Sequence, residues 1–416
     1  MKKTLADIDV KKKKVLVRVD YNVPLDANLK ITDDKRITAT LPTIKYLLEK
    51  NAAIVLMSHL GKPRGKVVPE MSLKPIAIRL GEILGKSIKF IGGDCISIES
   101  KKAAKDLKLG QILLLENLRF RSEEEGKNAV SEKDKSLMDV FAKNLASMGE
   151  VFIQDAFGTV HRSHASTVNI VKYIKEAVAG FLVEKELKFL REALDNPIRP
   201  FLAILGGVKV SDKINVIENL LDKVDSIIIG GAMAYTFLKA QGVSIGMSLV
   251  ENDKLDLALD LLKKAKERKV NFLLIVDHVI ANKVDLVGKS VLLDTSVETT
   301  IDEAIRDGFM GVDIGIKSIK KFAEVIKSAK TIVWNGPLGI FEIDEFSKGT
   351  VEIAKMIADA TDEGAISVVG GGDSISAVKK AGIDKRISHI STGGGASLEF
   401  LEGKDLPGIA VLIDKK

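Results

Sequence analysis

The stretch Phe201-Leu-Ala-Ile-Leu205-Gly206-Gly207-Val208-Lys209-Val210-Ser211-Asp212-Lys213 has residue types and spacing suited to holding polyphosphate. Five apolar residues predict a buried strand, the glycine pair a tight strand-to-helix turn, and Ser211 the N-cap of the helix that follows. A glycine turn lets backbone N–H groups approach a phosphate, a helix N-terminus favours negative charge, and Lys209 and Lys213 add two ammonium groups. Taken alone, the stretch equally fits a loop whose lysines face water. Gly370-Gly371-Gly372-Asp373-Ser374 is a second such turn, in which Asp373 offers a hard oxygen ligand and Ser374 a hydroxyl. A nucleotide-bound Mg²⁺ needs only one or two protein carboxylates, so a single Asp suffices. Asn335-Gly336-Pro337 and Glu342 could hold a ribose or position phosphates; the alternative is a rigid turn.

Cations gather in the first half of the chain. Val15-Leu-Val-Arg18-Val-Asp20-Tyr-Asn22-Val-Pro24 reads as an apolar strand turning polar at its end, where open α/β sheets place ligands. We read Arg18 as ion-paired with Asp20 at the strand end, and Asp20 and Asn22 as ligand-facing. Arg36, His59, Lys62, Arg119, His161, Arg162 and His164 also fall at or near element ends, which points to an anion pocket. His161 and His164 have a spacing open to metal, without an evident set of partner ligands.

Strands must place these residues, and apolar runs alternate with helical patterns throughout: Ala53–Met57, Ile112–Leu115, Val151–Gln154, Phe201–Leu205, Ile227–Ile229, Phe272–Val276, Ile332–Trp334, Ile366–Val369 and Ile387–Ile390. Ser72 is expected to cap a helix reaching Leu84, and Ser131 with Asp134 to form a capping box. The alternation predicts an α/β fold of doubly wound parallel sheets. Val183, Leu187, Leu190 and Leu194 make an apolar stripe ending at Asn196-Pro197, a helix suited to connecting two domains. The expected division is 1–180, a hinge helix over 181–196, and a second domain over 197–399. At 416 residues two domains are the default, and 46% hydrophobic with 29% charged residues describes a soluble globular protein.

The remaining features exclude several classes. No apolar run spans a bilayer and the N-terminus lacks a signal-peptide core, so a cytoplasmic protein with no membrane partner is expected. Cys95 is the single cysteine, which excludes an intramolecular disulfide framework. A net charge of +6 comes with no nucleic-acid motif, so no nucleic-acid partner is expected. Gly81-Glu-Ile-Leu-Gly85-Lys86-Ser87 is one residue short of a phosphate loop and follows a helix. No dinucleotide fingerprint follows a strand, against a nicotinamide dehydrogenase.

In sequence order, Val17-Arg18-Val-Asp20-Tyr-Asn22-Val-Pro24, Ser58-His59-Leu60-Gly61, Gln154-Asp155-Ala-Phe-Gly158-Thr, His161-Arg162-Ser-His164, Gly206-Gly207-Val208-Lys209, Trp334-Asn335-Gly336-Pro337 and Gly370-Gly371-Gly372-Asp373-Ser374 resemble the motifs of the phosphoglycerate kinases. The likeness covers essentially the whole chain. It implies two Rossmann-like domains joined by a hinge helix, a C-terminal tail of about residues 400–416 returning to the first domain, and a monomer. It implies transfer of a phosphoryl group between 1,3-bisphosphoglycerate and Mg-ADP, giving 3-phosphoglycerate and ATP. Substrate-binding positions that match are Asp20, Asn22, Arg36, His59, Lys62, Arg119 and Arg162. Nucleotide positions that match are Gly207, Lys209, Lys213, Gly231, Gly311, Asn335, Glu342, Gly371, Gly372, Asp373 and Ser374. By the same likeness Arg36, Lys209 and Lys213 are catalytic and Asp373 holds Mg²⁺. Lys62 departs from the family's usual arginine and loses its planar fork. Gln154, Val208, Ala232 and Ile316 depart from the family pattern too, and none removes a charged catalytic position.

Overall fold

The computed structural model describes residues 1–126 and 132–415, so Ser131 and its capping box lie outside the described residues. The chain forms two compact units: residues 1–187 with the segment from Asp405, and Lys188–Lys404. The division falls inside the helix Phe181–Asp195. Its predicted stripe of Val183, Leu187, Leu190 and Leu194 is buried.

The first unit holds strands β1 (Lys14–Val19), β2 (Ala53–Met57), β3 (Lys89–Ile91), β4 (Ile112–Leu115), β5 (Val151–Asp155) and β6 (Glu176–Ala179). They form a six-stranded sheet in the order β3-β4-β2-β1-β5-β6, parallel throughout. Strands β2, β4 and β5 are buried along their whole length, as a sheet covered on both faces requires. Lys3 donates to the Ile413 carbonyl at 2.8 Å, and Ile413 to Ala177 at 3.1 Å, fastening the tail along the β6 edge.

The second unit contributes β7 (Phe201–Leu205), β8 (Ser226–Ile229), β9 (Asn271–Leu273), β10 (His278–Ala281), β11 (Val284–Asp285), β12 (Ser290–Val291), β13 (Val297–Thr299), β14 (Met310–Ile314), β15 (Thr331–Asn335), β16 (Ile366–Gly370) and β17 (His389–Ile390). Six are parallel, ordered β17-β16-β15-β7-β8-β9. The antiparallel sheet β13-β10-β14 and the ribbon β11-β12 depart from the simple alternation read in the sequence. The strand expected over Phe272–Val276 stops at Leu273, and the one expected over Ile387–Ile390 keeps only its last two residues. Among the described residues no helix is long and apolar enough to cross a membrane.

Three local expectations are corrected. Helix Ile214–Leu221 has Lys213, not Ser211, at its N-cap, because Ser211 Oγ instead donates to Glu251 at 2.5 Å. Ser72 sits one residue before the cap of Lys74–Leu84, its hydroxyl accepting from the Lys74 N–H at 3.3 Å. Arg18 does not pair with Asp20: wholly buried, it lies 3.7 Å from Glu124 and donates to Ser166 Oγ at 2.8 Å.

Aspartates at strand ends hold distant helix starts. Asp155 accepts from the Leu182 and Val183 amides at 2.9 and 3.4 Å, and Asp277 from Lys317 and Ser318 at 2.9 and 2.7 Å. Asp313 accepts from Gly349 at 2.5 Å. Burial pushes the Asp155 carboxyl from 3.8 up to about 7. A carboxyl with a raised folded-state pKa binds its proton more tightly folded than unfolded, so its contribution to stability falls as pH climbs through that window and is lowest above it. Asp155→Asn keeps the amide acceptor without titrating. Its stability relative to the parent, measured by urea unfolding, is expected to improve between about pH 4 and pH 7; a pH-independent difference would contradict this.

Candidate functional site

Each unit carries a cluster at the carboxyl ends of its parallel strands. In the first, Asp20 follows β1, His59 follows β2, Arg119 lies in the turn Leu118–Phe120 after β4, and Arg162 stands in the loop after β5. Arg36, on the short helix Lys35–Thr38, forms an ion pair with Asp20. His59 Nδ1 is 3.9 Å from Asp20 Oδ1 and 3.3 Å from Arg18 Nη2. Asn22 Oδ1 accepts from the Gly61 N–H at 2.8 Å, while Arg119 donates to the Gly61 carbonyl at 2.9 Å. Arg162 donates through Nε to His161 Nε2 at 3.1 Å. Lys62 is exposed next to Gly61 and makes no side-chain contact of this kind among the described residues.

Burial sets the electrostatics of this pocket. Burial is the largest influence on Asp20 and pushes its carboxyl up, but the surrounding cationic groups, Arg36 and Arg18 among them, hold it below the ordinary value. Burial holds the His59 imidazole well below its ordinary value, with Arg18, Arg119 and Arg36 adding repulsion against the pull of Asp20. His161 is lowered to about 4, first by burial and then by Arg162. The pocket is thus built from permanently charged guanidinium groups and neutral imidazoles, a composition that takes an anion.

In the second unit three strand exits interlock. Gly206 donates to the Asn335 carbonyl at 3.0 Å, and Gly231 to the Leu338 carbonyl at 3.0 Å. Gly231 has φ of +67°, and a Cβ there would stand 2.7 Å from the Gly207 backbone, so side chains are excluded on two counts. A cavity of about 320 Å³ opens at this junction, walled by Gly207, Gly231 and Gly311, by apolar Leu249, Leu286, Met310 and Ile340, and by the carboxylates of Glu342 and Asp373. An apolar slot with few polar groups suits a planar base and a sugar. Lys213 donates to Asn335 Oδ1, and the Gly336 N–H donates to Ser374 Oγ at 2.6 Å, so Asn335 and Ser374 also fix the turn between them. Gly371 and Gly372 begin the helix Gly372–Lys380, with Asp373 in its first turn. Lys209 is exposed in the loop that leaves β7.

Among the described residues no three His, Cys, Asp or Glu side chains form a metal-holding group, and His161 and His164 belong to none. Asp373, exposed at the cavity wall, fits a cation whose other ligands come from a nucleotide. The cavity walls Tyr235, Leu249, Leu286 and Met310 were not legible beforehand, since nothing local distinguishes an apolar wall of a site from an apolar core residue.

The family model described as "Phosphoglycerate kinase" matches residues 5–404. The chain belongs to the phosphoglycerate kinase family. It is 55% identical over 415 residues to the phosphoglycerate kinase of Clostridium botulinum strain Hall, covering 100% of this chain and 99% of that one. It is likewise 55% identical over 413 residues to the one of Chlorobium phaeobacteroides strain BS1, covering 99% of this chain and 100% of that one. Among solved structures, phosphoglycerate kinase from Coxiella burnetii matches with a TM-score of 0.85 at 40% identity, over 99% and 98% of the two chains. Phosphoglycerate kinase from Pyrococcus horikoshii OT3 matches at 0.78 and 34% identity, over 98% of each. As a member of the phosphoglycerate kinase family, the chain is a glycolytic phosphotransferase with a carboxyl group as acceptor, in a fold of two parallel-sheet α/β domains.

Lys213 supplies a test of the second cluster. Burial lowers its ammonium to about 8, against the pull of Asp212, Glu402 and Asp373. A base with a lowered pKa loses its charge sooner as pH rises, so ADP affinity is expected to weaken above about pH 8. Lys213→Arg, charged throughout, should flatten that decline in a titration of ADP binding, and an equal decline in both proteins would remove Lys213 from the site.

Proposed function

We propose that the chain transfers the acyl phosphoryl group of 1,3-bisphosphoglycerate to Mg-ADP, reversibly, giving 3-phosphoglycerate and ATP. The observation that carries this reading is the pairing of chemistries: one unit bears an arginine and imidazole pocket for a small anion, the other an apolar slot edged by glycine turns and carboxylates for a nucleotide. Asp20, Asn22, Arg36, His59, Lys62, Arg119 and Arg162 hold the phosphoglycerate. Gly207, Gly231, Gly311 and Glu342 receive the nucleoside, and Lys213, Asn335, Gly371, Gly372 and Ser374 attend its phosphates.

Neither direction needs a catalytic base. The attacking group is an ionised ADP oxygen one way and an ionised carboxylate the other, so the P–O bond to one forms as the bond to the other breaks and no proton moves. The difficulty is bringing anions together, which cations and oriented N–H groups relieve. Arg36 and Lys209 stabilise the transferring group and Lys213 grips the nucleotide. Mg²⁺, held by Asp373 with the nucleotide, supplies charge neutralisation of the phosphates when bound.

In-line transfer needs reacting atoms within about 3 to 3.5 Å, so substrates held on separate domains require closure, which also keeps water from the acyl phosphate. The helix Phe181–Asp195 is the proposed hinge between a domain over 1–180, joined by the tail at about 400–416, and one over 197–399. The working form is a cytoplasmic monomer.

The decisive experiment is a coupled assay of ATP formation from 1,3-bisphosphoglycerate and Mg-ADP, in which a folded but silent protein would overturn the reading. Lys209→Ala is expected to lower kcat by about 100-fold or more with little change in either KM, since its charge acts on the transition state. Arg162→Ala should instead raise the phosphoglycerate KM and leave that for ADP unchanged.

A further inference from the structure

The anion pocket of the first unit contains two arginine–histidine contacts whose chemistry is more restrictive than proximity alone. Arg18 Nη2 lies 3.3 Å from His59 Nδ1, and Arg162 Nε lies 3.1 Å from His161 Nε2. A guanidinium has only donors, so each contacted ring nitrogen must be the acceptor and carries no proton. The single ring proton of His59 is therefore on Nε2, and that of His161 on Nδ1. Asp20 does not reverse the first assignment, because its Oδ1 is 3.9 Å from His59 Nδ1, beyond hydrogen-bond distance.

The opposite ring nitrogens are left over. His59 Nε2 has no partner among the described residues, and His161 Nδ1 is buried without one. Arg18 itself has no freedom to turn away. It is wholly buried and held by Ser166 at 2.8 Å, by the Val19 carbonyl at 2.5 Å and by Glu124 at 3.7 Å.

We propose that Arg18 and Arg162 act as positioning residues that set the tautomers of His59 and His161 and keep both rings neutral, so that His59 Nε2 offers the anionic substrate a neutral N–H donor rather than a titrating cation. The inference rests on the phosphoglycerate reading of this pocket. It separates two duties: guanidinium groups carry the charge, and the His59 imidazole supplies direction. A protonated imidazole could no longer accept from its arginine and would add charge to an already cationic cluster. Arg18, Arg119, Arg36 and Asp20 face His59, while Arg162, Arg119 and Asp20 face His161, and the balance in both cases disfavours the cation.

The test uses the full chain labelled with ¹⁵N in its five histidines, with His59→Gln and His161→Gln serving only to assign signals. Long-range proton–nitrogen spectra of the unliganded parent should show His59 protonated at Nε2 and His161 at Nδ1, both neutral across the range of about pH 5 to 8 in which an unperturbed histidine titrates. Protonation of His59 at Nδ1, or of either ring at both nitrogens in this range, would overturn the proposal without involving activity. Arg162→Lys keeps the charge and removes the Nε donor. In it Nε2 is no longer held as the acceptor of Arg162 Nε, so a share of His161 should become protonated at Nε2 in the same spectra. An unchanged His161 tautomer in that variant would also overturn it. Absence of 3-phosphoglycerate binding to the parent would instead defeat the phosphoglycerate reading while leaving the tautomer spectra standing.

Discussion

Strands β2, β4, β5, β7, β8 and β15 are buried at every position, so a polar side chain associated with them has one inexpensive place to stand, the carboxyl end where the chain leaves the sheet. This constraint gathers the chemistry. It puts Asp20, His59, Arg119 and Arg162 at neighbouring strand exits in one unit, and brings the Gly206, Gly231 and Gly336 turns together in the other. Arg18 shows what happens when a charge lies within such a strand: it is enclosed by Glu124 and Ser166, because a buried ion left unpaired costs several kcal/mol.

The two clusters meet the same demand, accommodation of negative charge, by different means. In the first unit permanent cations do so, and their mutual repulsion is relieved by Asp20 and by imidazoles that stay neutral. In the second, close packing of backbone against backbone leaves no room for a side chain at Gly231, and glycine turns edge an apolar slot. Lysines supply movable charge there. Lys213 is tied to Asn335, whereas Lys209 projects from an exposed loop.

Long-range caps connect the sheets to the helices around them. Asp155 at the end of β5, Asp277 just before β10 and Asp313 near the end of β14 each accept amides from a helix start far along the chain. Two of them are buried enough for their carboxyls to be pushed up to about 7. The helix between the units begins on Asp155, so its origin is fixed within the first unit by a side chain that local helix rules would not nominate.

The sequence by itself determined most strands of the two parallel sheets, the helix carrying Val183 to Leu194 and the residue types at the strand exits, since apolar runs, turn glycines and helical stripes are local signals governed by backbone sterics and burial. It also carried the family likeness in motifs such as Gln154-Asp155-Ala-Phe-Gly158-Thr. Partners separated along the chain were decided only by tertiary structure. Ser211 looked like a helix cap until Glu251, 40 residues on, took its hydroxyl, and Arg18 looked like the partner of Asp20 until folding brought Glu124 and Ser166 to it. The antiparallel strands near β14 and the apolar walls at Leu249 and Leu286 likewise depend on which distant segments meet. Hydrogen bonds and charge pairs are satisfied by whichever group lies nearest in space, and nearness in space is what a one-dimensional pattern leaves out.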